Sequence, residues 1–485
     1  MISLIKRHSL IFFGVNVICY FATIFCVRTN NFEGYQLLAI LPLIYSIVFT
    51  LIFFPLMYIK KSYTVTIFAL CCALRYILLP MLQSKYPVYG FSSFSTMDIE
   101  VLKHSILLMS YELIVCGIFF MIFFLIKHKW HINYKNKRRI YFKDGKGVII
   151  SFIIISMIIT IIFPHTLDLV SFFILKSGSG TRVGSVDNST FDMLLRQIFL
   201  IGQFSLYILF INKMKDKYTI KPSKMYLLAA LVFTLLNLGI IVGEQRSSQI
   251  YFAFASMYLL ITCFPKHQKQ ITKVVFSAAI MMLFLMTVYK EFYAFRYDSY
   301  LEALSSNKID MYKITETAEI YLLGPQSVAA SILLGENSNL IRIDRFLFDF
   351  ARSFIGISFF VKDVDMHTTS NLFNLFVTNG RSLSGYLLPI TSQGYIYFGN
   401  LFSPILMILI LRIALYIEKI FRTSNSIYVV FFSSYFYIRA ATCIVSSNLN
   451  SVVTAGSLIL MSAGIIYLVQ WILGNLTKKR VSVSL

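Results

Sequence analysis

The chain has 485 residues, of which 57% are hydrophobic and only 14% charged, and its mean hydropathy is +0.73. A water-soluble domain carries roughly 25% charged residues, so a soluble globular protein is excluded. The net charge of +22 would suit a nucleic-acid partner, but the placement of the cations, taken in chain order below, argues against one.

A bilayer core about 30 Å thick needs roughly 20 apolar residues in a helix. The first half supplies Ser9–Cys26, Gln36–Ile59, Ser62–Leu82, Ile106–Ile126, Val148–Pro164 and Met193–Ile211. The second half supplies Met225–Gly243, Ile250–Phe264, Val274–Tyr289, Tyr395–Ile417, Ile427–Cys443 and Thr454–Leu473. The expected fold is therefore all-α, a polytopic membrane helix bundle of about twelve spans. Lys6 and Arg7, Lys60 and Lys61, the run from Lys127 to Lys146, KMKDKYTIKPSK after span six, PKHQK after span eight, Lys419 with Arg422, and Lys478 to Arg480 occupy every second connection. That alternation is the positive-inside pattern and places both termini in the cytoplasm, with the basic runs as topological anchors that touch anionic membrane lipid. No cleavable signal pattern precedes the first span, so it is expected to be retained. The seven cysteines all fall in apolar stretches, away from any CxxC or Cys/His grouping, and neither a disulfide framework nor a metal site is expected.

Three parts follow from this layout: 1–293 with spans one to nine, 294–394 as a large outward loop, and 395–485 with spans ten to twelve and a cytoplasmic tail. A segment of roughly 100 residues without a role is uncommon. Its aromatic-rich stretch FLFDFARSFIGISFF is expected to lie as an interfacial or re-entrant helix in a small helical cap.

Charges inside spans are expensive and mark function. Arg75, Glu112, Arg196 and Arg439 qualify. Arg75 and Glu112 lie at similar depth on consecutive antiparallel spans and are expected to pair; an ion pair that only positions helices is as fair a reading as a functional one. At the outer mouth, GEQRSS supplies Glu244 and Arg246, and YKEFYAFRYD supplies Lys290, Glu291, Arg296 and Asp298. The large loop adds Arg342, Arg345, Arg352, Arg381 and its one histidine, His367. Positive-inside physics argues against arginines on this side, so an anionic ligand is expected. Arginine favours bidentate phosphate recognition, and a phosphate at the leaflet surface with an apolar tail is a polyprenyl pyrophosphate or a phospholipid. No Walker A, HExxH or GxSxG sequence competes with this reading.

The layout, the GEQRSS turn, and SLSGYLLPITSQGYIYFGNLFSPI leading into span ten together resemble the Wzy-type polymerases of O-antigen, capsule and exopolysaccharide repeat units. GTRVG with Arg182 resembles an arginine in the smaller outward loop of that family, and Arg345 with Gly356 fits an Arg-x10-Gly spacing found in such loops. The resemblance implies a GT-C-like membrane glycosyltransferase in the bacterial plasma membrane. Its substrates are undecaprenyl-pyrophosphate-linked oligosaccharides, with a chain-length regulator as a further partner. A hydroxyl of the incoming unit attacks the anomeric carbon of the growing chain, and undecaprenyl pyrophosphate leaves. Such a leaving group needs charge stabilisation more than proton donation, so neither metal nor cofactor is expected. Arg246 and Arg182 are the first candidates to hold the pyrophosphate, with Arg345 or Arg352 as secondary ones. Glu244, Glu291 or His367 would accept the hydroxyl proton, although Glu244 serves equally as a partner that orients Arg246, and His367 as an ordinary loop histidine. Three other readings stay open. A flippase for the same lipid-linked units would need two similar halves and short outward loops. An O-antigen ligase would use His367–Thr368 with Gly380 and Gly385, at a spacing that departs from that family's. An acyltransferase would draw on His104 or His165.

Overall fold

The computed structural model describes residues 8–30, 32–88, 98–126, 146–164, 170–172, 190–242, 246–291, 301, 305, 310–337, 343–361, 363–382, 385–458 and 460–461. In chain order the main elements are α1 (Ser9–Thr29), α2 (Gln36–Ile59), α3 (Tyr63–Lys85), α4 (Ile99–Ile126), α5 (Lys146–Ile162), β1 (Val170–Phe172), α6 (Thr190–Ile220), α7 (Lys224–Leu238), β2 (Ile240–Val242), α8 (Arg246–Cys263) and α9 (Gln268–Glu291). Then come α10 (Met311–Leu322), α11 (Pro325–Asn337), α12 (Ile343–Ser353), α13 (Thr369–Val377), α14 (Ile390–Phe402), α15 (Ile405–Thr423), α16 (Ile427–Ala441), α17 (Cys443–Ser446) and α18 (449–458).

Among the described residues, five helices are long and apolar enough to cross a membrane: α1, α2, α3, α4 and the 198–220 part of α6. Two bent helix pairs bring the number to seven. Lys224–Leu238 and Ile427–Ala441 are apolar but short; at 1.5 Å per residue, a helix of about 15 residues falls short of a 30 Å core. The expected spans Met225–Gly243 and Ile427–Cys443 thus appear as shorter helices, Val148–Pro164 corresponds to α5 at Lys146–Ile162, and most of Thr454–Leu473 lies outside the described residues.

Span ten differs from its sequence-based outline. Tyr395–Ile417 is not one helix: α14 and α15 meet at 111°. The break has two local causes. Gly399 sits at φ 75°, ψ −178°, a conformation open essentially to glycine alone. Pro404 follows, and it lacks the N–H that a continuing helix would bond four residues back. The other bent pair, α8 and α9 at 117° across Phe264–His267, is a turn between helices read as separate spans.

Proline also shapes α2 and α3. Each contains a π-helical turn, Phe49–Phe53 and Leu74–Leu78, ending two residues before Pro55 and Pro80 respectively. A proline lacks the N–H that would bond four residues back, and a π-turn absorbs such a mismatch. Arg75 lies on the second of these turns.

The chain divides into two compact units: 1–133, 309–419 and 439–458 form unit 1, and 134–308, 420–438 and 459–485 form unit 2. In unit 1, α1 packs on α2, α2 on α4, and α11 lies against α4 and α14. In unit 2, α5 packs on α6, α6 on α7 and α8 on α9, and β1 pairs antiparallel with β2 through Ser171 and Ile241. The core of unit 2 is aromatic and aliphatic, with the rings of Phe204, Tyr207, Phe252 and Phe431 between 5.1 and 5.9 Å apart. Each such ring pair adds about 0.5–1.5 kcal/mol beyond area burial.

Candidate functional site

Four carboxylates are buried among the described residues, Glu112, Glu319, Asp349 and Glu418, and all belong to unit 1. A buried charge must be paired or hydrogen-bonded to be tolerated. The partners of each show what the segment 310–394 is built around.

Arg75 Nη1 lies 2.8 Å from Glu112 Oε2, both side chains fully enclosed, so the two charges read from the sequence as a pair are in contact. Arg75 Nε donates to the carbonyl of Leu323 at 3.0 Å. The Tyr76 hydroxyl lies 3.0 Å from Met109 O and 3.2 Å from Glu112 Oε2, and the Thr391 hydroxyl donates to Glu112 Oε1. One intramembrane ion pair therefore holds both the start of α14 and the α10–α11 turn. Leu323 itself adopts a left-handed conformation, φ 54°, which is costly for a branched side chain. The turn LGP places it there: α10 must end before Pro325, and a Cβ on Gly324 would overlap the Glu319 carboxylate and Leu79.

Glu319 caps α11. Its Oε1 accepts from the backbone N–H of Gln326 at 2.8 Å and of Ser327 at 3.0 Å, while Gln83 donates to Oε2. Gln326 Nε2 donates onward to the Tyr35 hydroxyl at 2.7 Å, which donates to Val88 O at 2.6 Å. Burial pushes the Glu319 carboxyl up to about 7, against the opposing pull of its donors and of Arg75. Glu418 performs the same task for α3, accepting from Ser62 Oγ at 2.9 Å, Tyr63 N at 2.8 Å, and Thr64 N and Oγ1 at 2.9 and 2.7 Å. Both satisfy orphan donors at a helix start, where the macrodipole favours a negative charge.

Asp349 lies on α12 and accepts from Thr369 N at 3.1 and 3.2 Å and from the Tyr397 hydroxyl. Burial raises its carboxyl above the usual value, offset in part by these donors and by Arg345. Ser353, one turn on, accepts from Asn450 Nδ2 at 2.9 Å and its carbonyl from Thr454 Oγ1 at 3.0 Å. Gln393 donates to Asn450 at 2.8 Å and accepts from Leu449 N at 2.7 Å. The outcome is a helix that buries two polar side chains and exposes several apolar ones. Asp349 and Ser353 point into the protein, whereas Ile343 is 64% and Leu347 61% exposed, with Phe350 beside them. In water such a helix would turn over; against lipid the arrangement is the favourable one.

The candidates read from the sequence are distributed as follows. Arg345 and Arg352 lie seven residues apart on α12, which puts them on one face. Arg345 is half-buried and donates to the carbonyl of His367 at 3.0 Å; Arg352 is exposed and donates to Val361 O at 3.4 Å. The structure thus joins Arg345 to the backbone of exposed His367. Arg246 opens α8 and Glu291 closes α9, both in unit 2, but their side chains lie outside the described residues, as do Arg182 and Glu244 altogether. The side chain of Arg196 and all of His165, Arg296, Asp298 and Arg342 are outside them too, while Arg381 is exposed. Glu319, Asp349 and Glu418 were missed because they fall in or beside connections, where a carboxylate reads as solvated. The one available signal was capping order, Glu319 standing just ahead of the GPQS start of α11.

Apolar helices of spanning length with lipid-suited faces, joined in unit 1 by buried ionisable groups, define a helical membrane protein. Comparison with protein families, with curated proteins and with solved structures gives no match.

Proposed function

We propose that this protein is a Wzy-type polymerase, a GT-C-like membrane enzyme of about twelve spans working at the outer leaflet of the bacterial plasma membrane. It joins undecaprenyl-pyrophosphate-linked oligosaccharide units. A hydroxyl of one unit attacks the anomeric carbon of the chain held on the other, the C–O bond to pyrophosphate breaks, and undecaprenyl pyrophosphate departs with the electron pair. The observation that carries this reading is the build of 310–394. It is a set of helices tied to Arg75, Glu112 and Tyr397, with Arg345 and Arg352 on one face of a helix whose apolar side suits lipid. A transporter that alternates between two faces needs short outward connections; an enzyme that binds a lipid-linked anion needs a folded cap with cations. GEQRSS and SLSGYLLPITSQGYIYFGNLFSPI add the family resemblance. Arg182 and Arg246 are the foremost pyrophosphate ligands, stabilising charge as it develops on the leaving group.

Deletion of the gene tests the class. A polymerase loss leaves single repeat units on the cell surface, and a complete absence of surface glycan would assign the protein to transport instead. Replacing Arg182 and Arg246 singly with Lys and Ala tests the site: long glycan is expected to disappear at unchanged protein level. Persistence of long polymer in every variant would overturn the assignment of those arginines.

A further inference from the structure

We propose that Glu336, held by Tyr395 and flanked by His104, accepts the proton of the attacking sugar hydroxyl; this rests on the polymerase reading above. The three side chains come from three different helices of unit 1: α11, α14 and α4. The Tyr395 hydroxyl donates to Glu336 Oε1 at 3.2 Å, and the His104 ring stands edge-on to the Tyr395 ring with centroids 6.1 Å apart. Glu336 is exposed, His104 half-buried and Tyr395 buried apart from its edge.

Three physical features single out this carboxylate. Its helix is rigid: Gln326 to Ile332 of α11 is buried without interruption, so the exposed end at Glu336 projects from a fixed support. Its position has no stabilising logic, since a helix macrodipole disfavours a carboxylate in the last turn, and Asn337 ends α11. It is also exposed, unlike Glu112, Glu319 and Asp349, which are sealed in the protein and position helices. The phenol holds one carboxylate oxygen, Oε1. On the proposed orientation, in which the basic connection after Ile126 is cytoplasmic, His104 lies eight residues outward of Glu112 on α4, so the group opens toward the outer leaflet.

The step balances simply. The hydroxyl oxygen forms the new glycosidic bond, its proton passes to Glu336, and the electron pair of the broken bond leaves on pyrophosphate. A correctly placed base contributes on the order of 10²–10⁴-fold. The half-buried His104 ring offers a surface against which the acceptor sugar can lie; Tyr395 is a positioning residue.

The test uses the full-length protein in proteoliposomes with undecaprenyl-pyrophosphate-linked repeat units as substrate. Glu336→Gln is expected to lower kcat by on the order of 10²–10⁴-fold, with KM for the donor within about twofold, an unchanged melting temperature, and partial activity in Glu336→Asp. Wild-type turnover in Glu336→Gln would overturn the proposal while leaving the polymerase reading intact. Failure of the wild type itself to form polymer would overturn both. If Glu336→Gln does not accumulate, Tyr395→Phe carries the test: a lowered kcat at constant KM supports the arrangement, and unaltered turnover overturns it.

Discussion

In unit 1 the helices meet over rings such as Phe53, Phe68 and Phe120 and, in addition, over ionisable and amide side chains: Arg75 on Glu112, Gln83 on Glu319, Tyr397 on Asp349, Gln393 on Asn450. In unit 2 they meet over rings and aliphatic chains, around Tyr207, Ile208, Phe252, Leu259 and Phe431. The same solvent allows both solutions. Helices already in lipid gain little from hiding apolar surface, so they associate through van der Waals fit or through polar groups that have no better partner. Fit is tolerant, because one apolar side chain can replace another of similar volume. A polar network is intolerant, because each atom it leaves unpaired costs the full desolvation penalty. Unit 1, which carries the segment 310–394, is the intolerant one.

The sharpest way to break that contrast is at the ion pair. Arg75→Met or Glu112→Leu leaves a buried partner uncompensated, and each is expected to cost roughly 3–5 kcal/mol. The double variant Arg75→Met/Glu112→Leu should recover most of this, because replacing both charges is far cheaper than orphaning one. Thermal melting in detergent by size-exclusion fluorescence measures it. Strict additivity of the two single losses would show that the contact carries no coupling.

Glu319 gives the next effect, through pH. Its carboxyl is raised from an ordinary 4.5 to about 7 in the folded protein. Between those values the folded state holds a proton that the unfolded chain has released, so stability is full below about pH 4.5 and falls as pH rises through 7. The loss across that window is roughly 3 kcal/mol. The wild type should therefore melt lower at pH 7.5 than at pH 5, and Glu319→Gln should flatten the difference. An unchanged slope in the variant would assign the pH dependence to another group.

Much of this contrast was legible in the sequence on one side only. Hydropathy located α1 to α4, and the matching depth of Arg75 and Glu112 on consecutive spans was enough to pair them. The break within span ten was not legible, because a hydropathy window averages over Gly399 and Pro404 and is blind to the backbone angle at one residue. Nor were Glu319 and Asp349, since their burial arises from helices that form only in the folded segment: α10 stopped by Gly324–Pro325, α12 turned polar side inward by Thr369, Tyr397 and Asn450. Helical periodicity showed that α12 has two faces. It could not show which face is inside, because that depends on whether water or lipid covers the other.

The smallest expected effect belongs to unit 2 and sharpens the comparison from its tolerant side. Ile208 is fully buried in the aromatic–aliphatic core, and Ile208→Val removes one methylene without touching a hydrogen bond. The loss should be about 0.5–1.5 kcal/mol, equal at pH 5 and pH 7.5, because no titratable contact is altered. A loss approaching that of Arg75→Met, or one that changes between the two pH values, would mean that the packing of unit 2 is coupled to an ionisable group. In that event van der Waals fit would not explain the unit, and the difference between the two regions would be one of visible composition rather than of energetics.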